Sequence, residues 1–480
     1  MSSGGVGFRS ERGPVLIALM LSTSLVAVDS TIIATSVPSI VNSIGGFTEF
    51  PWLFSIYLLA QAVTVPVYGK LADLFGRKPV ILFGIGLFLL GSILCGIAWS
   101  MPALIAFRAV QGAGAGAIQP MSITIVGDLY SLAERSKVQG YIASVWGMSA
   151  VIGPTLGGVF SEYTSWRWIF FINIPLCGLA AFMLTRKFTE RVERGHPHID
   201  YRGAALLTTG CTLLILGVLE GGQSWAWISL PGLLILGCGA ALLVAFVLVE
   251  RHVPEPVLPL WVFSRRLLLT TSLVSAAVGA IVLGLTSYIP TFVQDVLGTG
   301  PLVAGFALST LMLGWPMSAS QSGKLYLRIG FRRTALGGSV FAVAGCALLL
   351  LLNGSSPVPQ VALTCFVIGL GMGLVGAPTL IAAQSSVGWS ERGVVTGNNL
   401  FCRSLGSALG VAVFGAIANA TLRSGNASSG PRSSAALTTA THHVFVAVLV
   451  VSLAMAVAVA CMPREVEQPE QDLLIDLPAA

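Results

Sequence analysis

The sequence predicts an all-α integral membrane protein. Two six-helix halves and two inserted helices make fourteen transmembrane helices, with both termini cytoplasmic. Three observations carry this prediction. First, of 480 residues only 10% are charged while 55% are hydrophobic. A soluble domain carries roughly 25% charge, so this chain cannot clothe a water-facing surface, and a soluble multidomain enzyme is excluded. Disorder is excluded too, because disordered chains are rich in charge and poor in apolar residues. The second observation is a succession of bilayer-length apolar runs, and the third is a weak internal repeat.

A spanning helix needs about 20 mainly apolar residues. Such runs fall at 14–37, 51–68, 80–98, 102–127, 137–161, 166–185, 201–219, 230–249, 267–289, 301–320, 333–352, 358–381, 395–418 and 442–462. The first is too long for a cleavable leader, and no small-residue cleavage site followed by a soluble domain comes after it. The basic residues set the orientation. With both termini inside, all Lys and Arg lie in cytoplasmic segments but for five: Arg167, Arg423 and Arg432 fall outside, and Arg108 and Arg403 within the bilayer. An odd span count would scramble that alternation. The net charge of +6 therefore reflects topology, and no nucleic-acid partner is expected.

The repeat has three parts. Gly69-Lys70-Leu71 recurs as Gly323-Lys324-Leu325. Glu134-Arg135 with Val138 and Gly140 recurs as Glu391-Arg392 with Val395 and Gly397. The ladder Gly112, Gly114, Gly116 recurs as Gly369, Gly371, Gly373, each followed by a proline (Pro120, Pro378). The shift equals eight spans, which means two related six-helix halves separated by two extra helices. Halves related about an axis along the membrane normal are a transporter architecture, with the substrate site near the midplane between them. The divisions are 1–185 for the N-terminal half, 186–266 for a charged cytoplasmic linker and the inserted helices, 267–464 for the C-terminal half and 465–480 for an acidic cytoplasmic tail.

Several other readings are set aside. The eight cysteines all fall in apolar runs without CxxC pairing, so they read as small packing residues and not as a disulfide or metal framework. No Lys precedes Ser or Thr, so there is no Walker A loop, and the glycine ladders lack G-x-G-x-x-G spacing. The histidines have no HExxH spacing, and His196-Pro197-His198 is a weak metal signal. No metal and no cofactor other than protons is expected, and the chain is not an enzyme.

At this point the residues resemble a known family. Gly69-Lys70-Leu71-Ala72-Asp73-Leu74-Phe75-Gly76-Arg77-Lys78 is similar to the loop between helices 2 and 3 of the major facilitator superfamily. Gly153-Pro154-Thr155-Leu156-Gly157-Gly158 resembles the motif that marks its antiporters. Asp29, in Val28-Asp29-Ser30-Thr31-Ile32-Ile33 with Pro38 beyond, resembles the first-helix motif of the fourteen-span drug:proton antiporters. Arg108 with Gln111-Gly112 resembles their fourth-helix motif, and Trp166-Arg167-Trp168-Ile169-Phe170-Phe171-Ile172-Asn173-Ile174-Pro175 their sixth-helix start. The resemblance implies the major facilitator fold and a proton-relay role for Arg108. Some of these exporters carry an acid near span 13. Here 395–418 has no Asp or Glu and holds Arg403 instead, which argues against a strong preference for dicationic compounds.

The physical reading of the same residues runs parallel. Asp29 is the only acid well inside a span. Counting about 1.5 Å per residue from residue 14 puts it ~22 Å in, where an ionisable group is a functional site by default. Arg108 enters from outside to a depth of ~9 Å, so the two can interact in the outer half. Gly69, Asp73, Gly76, Arg77 and Lys78 read as a conformational latch, the glycines allowing turns and close approach and the charges contacting helix ends across the half-interface. Gly153, Pro154, Gly157 and Gly158 clear one helical stripe for close packing. Polar or aromatic residues within spans are the candidates for a substrate pocket: Tyr57, Gln61, Gln111, Gln119, Asn173, Trp315, Asn398, Asn399 and Phe401.

These readings converge on a proton-coupled antiporter of the cytoplasmic membrane. It exports amphipathic drugs or toxic compounds by alternating access, works as a monomer and has protons, small substrates and membrane lipids as partners. The alternative is a dedicated exporter of one metabolite, lipid or antibiotic on the same fold.

Overall fold

The computed structural model describes residues 7–8, 10–45, 52–190, 200–221, 225, 228–253, 256–424 and 434–466. Most of the charged linker 191–199, with His196 and His198, lies outside the described residues. So do Arg432 and most of the acidic tail, from residue 467 on. Pro38 and Pro154 are placed within helices, but their side chains are outside the description.

Apolar runs become helices because a chain without water around its backbone must satisfy every N–H and C=O internally. The N-terminal half comprises α1 (Gly13–Ile44), α2 (Trp52–Phe75), α3 (Arg77–Gly96), α4 (Met101–Leu129), α5 (Leu132–Tyr163), the short α6 (Trp168–Phe171) and α7 (Asn173–Lys187). Next come α8 (Tyr201–Glu220) and α9 (Leu230–Glu250). The C-terminal half follows the short α10 (Trp261–Ser264) with α11 (Arg266–Thr291), α12 (Pro301–Ile329), α13 (Phe331–Leu349), α14 (Val358–Ser385), α15 (Arg392–Ser424) and α16 (Ser434–Ala460). Among the described residues there is no strand, only an isolated bridge between Gly221 and Trp225.

Thirteen of the fourteen expected apolar runs each coincide with one long helix. Eleven stretches of the described chain meet length and apolarity requirements for crossing a membrane, and α5, α12 and α13 are not among them. Expected ends move outward in the long elements: the run 395–418 sits inside the 33-residue α15. The expected span 166–185 is instead broken at Ile172 into α6 and α7. Pro175 has no N–H to give the carbonyl of Phe171, so the ladder is interrupted there. Pro290 has the same effect near the end of α11, which passes into a π turn at Phe292–Val296.

The repeat is legible in atomic contacts. Gly76 and Gly330 join α2 to α3 and α12 to α13, with φ of 95° and 87°, conformations that an L side chain rarely adopts. In the ladders, a methyl on Gly112 would strike the Tyr57 carbonyl, and one on Gly369 the Leu311 carbonyl. One on Gly114 would strike the backbone of Phe88, and one on Gly371 that of Ala342. One on Gly116 would strike Thr64, and one on Gly373 would strike Ser318. Every partner is displaced by the same 254 residues. The ladders are packing seams, where missing side chains let helices approach.

Each half has its own apolar core. A third cluster lies between them, where Leu59, Val63 and Val65 of α2 meet Leu400 and Phe401 of α15, and Leu207, Cys211 and Ile215 of α8 close over the seam. The halves touch chiefly along two helix pairs, α2 with α15 and α5 with α12, with smaller contacts of α4 on α15 and α5 on α14, while α9 packs on α8. Of the cysteines, Cys95, Cys177, Cys211, Cys346 and Cys365 are buried as packing residues, but Cys238 and Cys461 are exposed.

Candidate functional site

Two polar assemblies interrupt this apolar bundle. The first is built around Asp29, which α1 buries to 1% exposure. Arg108 and Gln111 lie one turn apart on α4 and so share a face. Arg108 Nη1 donates to Asp29 Oδ2 at 2.6 Å and to Gln111 Oε1 at 2.7 Å, while its Nε donates to the Leu53 carbonyl at 3.2 Å. Gln111 Nε2 donates to Asp29 Oδ1 and to Ser92 Oγ, both at 2.7 Å. Asn173 Nδ2, just past the α6–α7 break, reaches the same Ser92 Oγ at 2.9 Å. The Arg108 guanidinium lies over the Tyr57 ring at 4.1 Å, and the Tyr57 hydroxyl is buried without a hydrogen-bond partner among the described residues.

Both carboxylate oxygens of Asp29 are thus satisfied and its charge is neutralised, which is the condition for keeping an ion in a low-dielectric interior. The repeat supplies a control. The residues of α14 and α13 equivalent to Arg108, Gln111 and Ser92 are Cys365, Ile368 and Cys346, all buried, and α11 holds no acid. Equivalent packing is therefore achieved without any of these polar groups, so the fold does not require them.

The second assembly sits where α2 turns into α3. Asp73 accepts from the backbone N–H of Gly393 at 2.9 Å and of Val394 at 2.7 Å, the first turn of α15 in the other half. Free N–H groups and the helix dipole make that terminus an anion site. Arg77, wholly buried, pairs with Asp73 and Asp128 at 3.0 Å each, donates to the Trp389 carbonyl at 2.5 Å and stacks on the Trp389 ring at 3.7 Å. Arg392 returns the contact to Asp128 at 3.0 Å, and Arg135 donates to Ser385 Oγ at 3.2 Å and to the Gly127 carbonyl at 2.5 Å. Burial and, less strongly, the neighbouring Arg392 charge pull Arg135 down to about 10, so it stays charged near neutral pH. Gly69 is required at this seam: a methyl there would lie 2.8 Å from the Gly393 carbonyl. The halves are sealed at this end.

The latch expectation is corrected in one member. Lys78 does not reach across the halves. Its Nζ donates to the carbonyls of Thr185 at 2.9 Å and Phe188 at 2.5 Å, at the C-terminal end of α7 in its own half, where a cation suits the helix dipole. Glu190 caps α3 beside it, accepting from Arg77 N and Lys78 N at 2.9 Å each. Sequence reading missed Asp128, Glu190, Trp389 and the Arg135–Arg392 pair. Only the last carried a signal, the repeated Glu-Arg.

Of the α5 motif, Gly153 packs on α1, where a methyl would overlap Thr31 and lie 3.1 Å from Ile32 N. The Gly157 carbonyl accepts from Ser36 Oγ at 3.3 Å. Gly158 faces open space and takes no part in the close packing expected of it. Gly153 and Gly157 thus press α5 against α1 over the turns that follow Asp29, Gly153 within a turn of it.

The nine pocket candidates do not form one pocket. Tyr57, Gln111 and Asn173 belong to the Asp29 cluster. Gln61 Nε2 donates to Gln119 Oε1 at 3.3 Å. Asn398 donates to Ser272 Oγ at 2.8 Å and Asn399 to the Thr271 carbonyl at 3.3 Å, tying α15 to α11. Phe401 is buried in the seam between the halves. Trp315 lies beneath the Arg403 guanidinium, 4.9 Å from it.

A two-half, all-helical membrane bundle with a buried acid–guanidinium pair and an interlocked seam defines a membrane transporter. The chain belongs to the Major Facilitator Superfamily, whose model matches residues 19–411. It is 36% identical over 405 residues to Multidrug resistance protein 3 of Bacillus subtilis (strain 168), covering 84% of this chain and 79% of that one. With Multidrug transporter protein MdtP of the same organism it shares 33% identity over 422 residues, covering 88% and 77%. The crystal structure of the human organic anion transporter MFSD10 (TETRAN) superposes with a TM-score of 0.66 at 16% identity, covering 94% of this chain and 99% of that one, a likeness of fold. The protein is therefore a multi-pass transporter of the cell membrane and not an enzyme.

Proposed function

We propose that the protein is a fourteen-span, proton-coupled antiporter that exports amphipathic drugs or toxic compounds from the cytoplasm by alternating access. The names of the Bacillus relatives support the substrate class. The thirteen long helices together with the broken α6–α7 segment, and the positive-inside count, support the span number and cytoplasmic termini, which would put the sealed end of the bundle on the cytoplasmic side.

The observation that carries the coupling is the Asp29–Arg108–Gln111 cluster, which is polar in one half while its repeat mates in the other are apolar. In this reading a proton arriving from outside neutralises Asp29. Arg108 then loses its counter-charge, and a buried guanidinium without one is unstable by several kcal/mol. Its release from α1 is the local event that biases the halves, through the Gly153 contact of α1 with α5 and the packing of α5 on α12. Release of the proton inside restores the pair. Asp73, Arg77, Gly69 and Gly76 hold the state closed to the cytoplasm. The pH gradient and membrane potential, about 2.3 kcal/mol per charge per 100 mV, drive the cycle. The protein acts as a monomer among lipids, with no cofactor besides protons.

The test is efflux of ethidium from proteoliposomes under an imposed proton gradient, with wild type beside Asp29→Asn. Gradient-dependent efflux that the substitution abolishes supports the reading. Efflux unchanged by the substitution removes Asp29 from the coupling step, and a wild type that moves no dye removes the polyspecific drug reading.

A further inference from the structure

Arg403 stands apart from every other buried or half-buried cation described above. It occurs eleven positions into α15, about 16 Å along the axis and so near the middle of a bilayer core of about 30 Å. Arg77, Arg108, Arg135 and Arg392 are all held by carboxylates, carbonyls or hydroxyls. Arg403 has no hydrogen-bond or ion-pair partner among the described residues, and its one described interaction is with the Trp315 ring. Its side chain is neither sealed nor fully exposed.

The setting gives that guanidinium a direction. α12 and α15 are the C-terminal-half helices with the most extensive contact to the N-terminal half, one against α5 and the other against α2. They are not packed backbone to backbone, so the Arg403–Trp315 contact spans the interval between them. By the repeat, the corresponding positions of α5 and α2 are Trp146 and Gln61, both half-buried. Four central helices thus offer, at repeat-equivalent positions, two indoles, an amide and a cation unpaired among the described residues. A planar guanidinium over an aromatic ring keeps its edge donors free for an oxyanion that presents two oxygens to it, and an ionisable group at this depth is a functional site by default.

We propose that Arg403 and Trp315 form the anion-recognising part of the substrate site, so that transported compounds are amphipaths carrying a carboxylate or sulfonate beside an aromatic body. This rests on the drug-export reading and narrows its substrate class. A bound oxyanion supplies the counter-charge that Arg403 lacks, and the aromatic portion stacks where Trp315 and its neighbours offer ring faces.

The test uses purified full-length protein and two matched probes, 1-naphthalenesulfonate and 1-naphthylmethylamine. The readouts are equilibrium binding by the shift in thermal unfolding midpoint and counterflow of the same probes in proteoliposomes. The sulfonate is expected to bind wild type at least tenfold more tightly than the amine. Arg403→Gln should weaken sulfonate binding at least tenfold with amine binding unchanged, and Arg403→Lys should recover part of the loss. Unliganded midpoints of the variants within a degree or two of wild type show that they fold, and Trp315→Phe, which keeps a ring, should lose less than Arg403→Gln. Equal sulfonate binding by wild type and Arg403→Gln, or tighter amine binding by wild type, overturns the proposal. Sulfonate binding that depends on Arg403 without counterflow of either probe upholds the anion site and sinks the export reading instead.

Discussion

If Asp29 and Arg108 hold each other as a buried ion pair, removing either one should be worse than removing both. Asp29→Asn keeps the side-chain volume but turns one carboxylate oxygen into an amide NH2. That NH2 must face either Arg108 Nη1 or Gln111 Nε2, which are donors at 2.6 and 2.7 Å. The result is a donor–donor clash beside a guanidinium that is 1% exposed. Leaving one member of a buried pair uncompensated costs about 3–5 kcal/mol. Arg108→Gln strands the carboxylate in the same way and at a similar cost. In the double variant no charge remains, the two amides can bond to each other or to Gln111, and the cost should fall below that of either single variant, which requires a coupling energy larger than the about 3–5 kcal/mol lost in one single variant. The assay is the thermal unfolding midpoint of the four purified proteins in detergent, read together with dye efflux. The expected order of stability is wild type, then the double variant, then either single variant, with gradient-driven efflux lost in all three variants. A double variant whose loss equals the sum of the singles would refute the pairing.

Three further outcomes follow from the geometry. Asp73→Ala removes two charge-assisted bonds to the α15 N-terminus, each worth about 1.5–3 kcal/mol; the sealed end should open, and a maleimide should label Ser385→Cys at least tenfold faster in that background. Gly114→Ala and Gly371→Ala, repeat mates against backbone, should each cost about 1–3 kcal/mol by overpacking and by similar amounts, whereas Gly86→Ala, with open space around it, should stay within about 0.5 kcal/mol; unequal costs in the ladder pair would break the equivalence of the halves. Replacing Ser92, Arg108 and Gln111 with their repeat mates (Ser92→Cys, Arg108→Cys, Gln111→Ile) together with an apolar Asp29→Val should give a protein at least as stable as wild type, since apolar substitutes for buried ion pairs are often neutral or stabilising, yet one without proton-driven efflux.

How much the sequence disclosed depended on whether a feature was local or relational. Asp29 and Arg108 were legible because charges inside apolar runs are rare, and counting residues along a helix gives depth. The same count gives no azimuth, so Tyr57, Gln111 and Asn173 were grouped with the substrate pocket although they turn toward Asp29. Ser92 was invisible, a hydroxyl among apolar neighbours whose meaning comes only from helices packed on it. The latch charges were readable as a motif, but Asp73 finds its partners 320 residues away at Gly393 and Val394, and no local pattern encodes that pairing. Lys78 was misjudged for the converse reason: its target, the end of α7, is nearby and in the same half. The break at Ile172 was latent in Pro175, yet hydropathy carried the span straight through it.

The placement of α8 has a mechanical consequence. It rests on α2 and on α15 at once, covering the seam on that flank, while among the described residues no inserted helix packs along the matching seam of α5 and α12. The two halves are pseudo-symmetric, but their surroundings are not. Any tilt of one half against the other must drag α8 along one edge and meets no such strut along the opposite edge. If the halves rock as proposed, the stroke is that of a book with its spine along α2, α8 and α15, and the wider parting falls along the α5–α12 edge, the flank that the inserted helices leave uncovered.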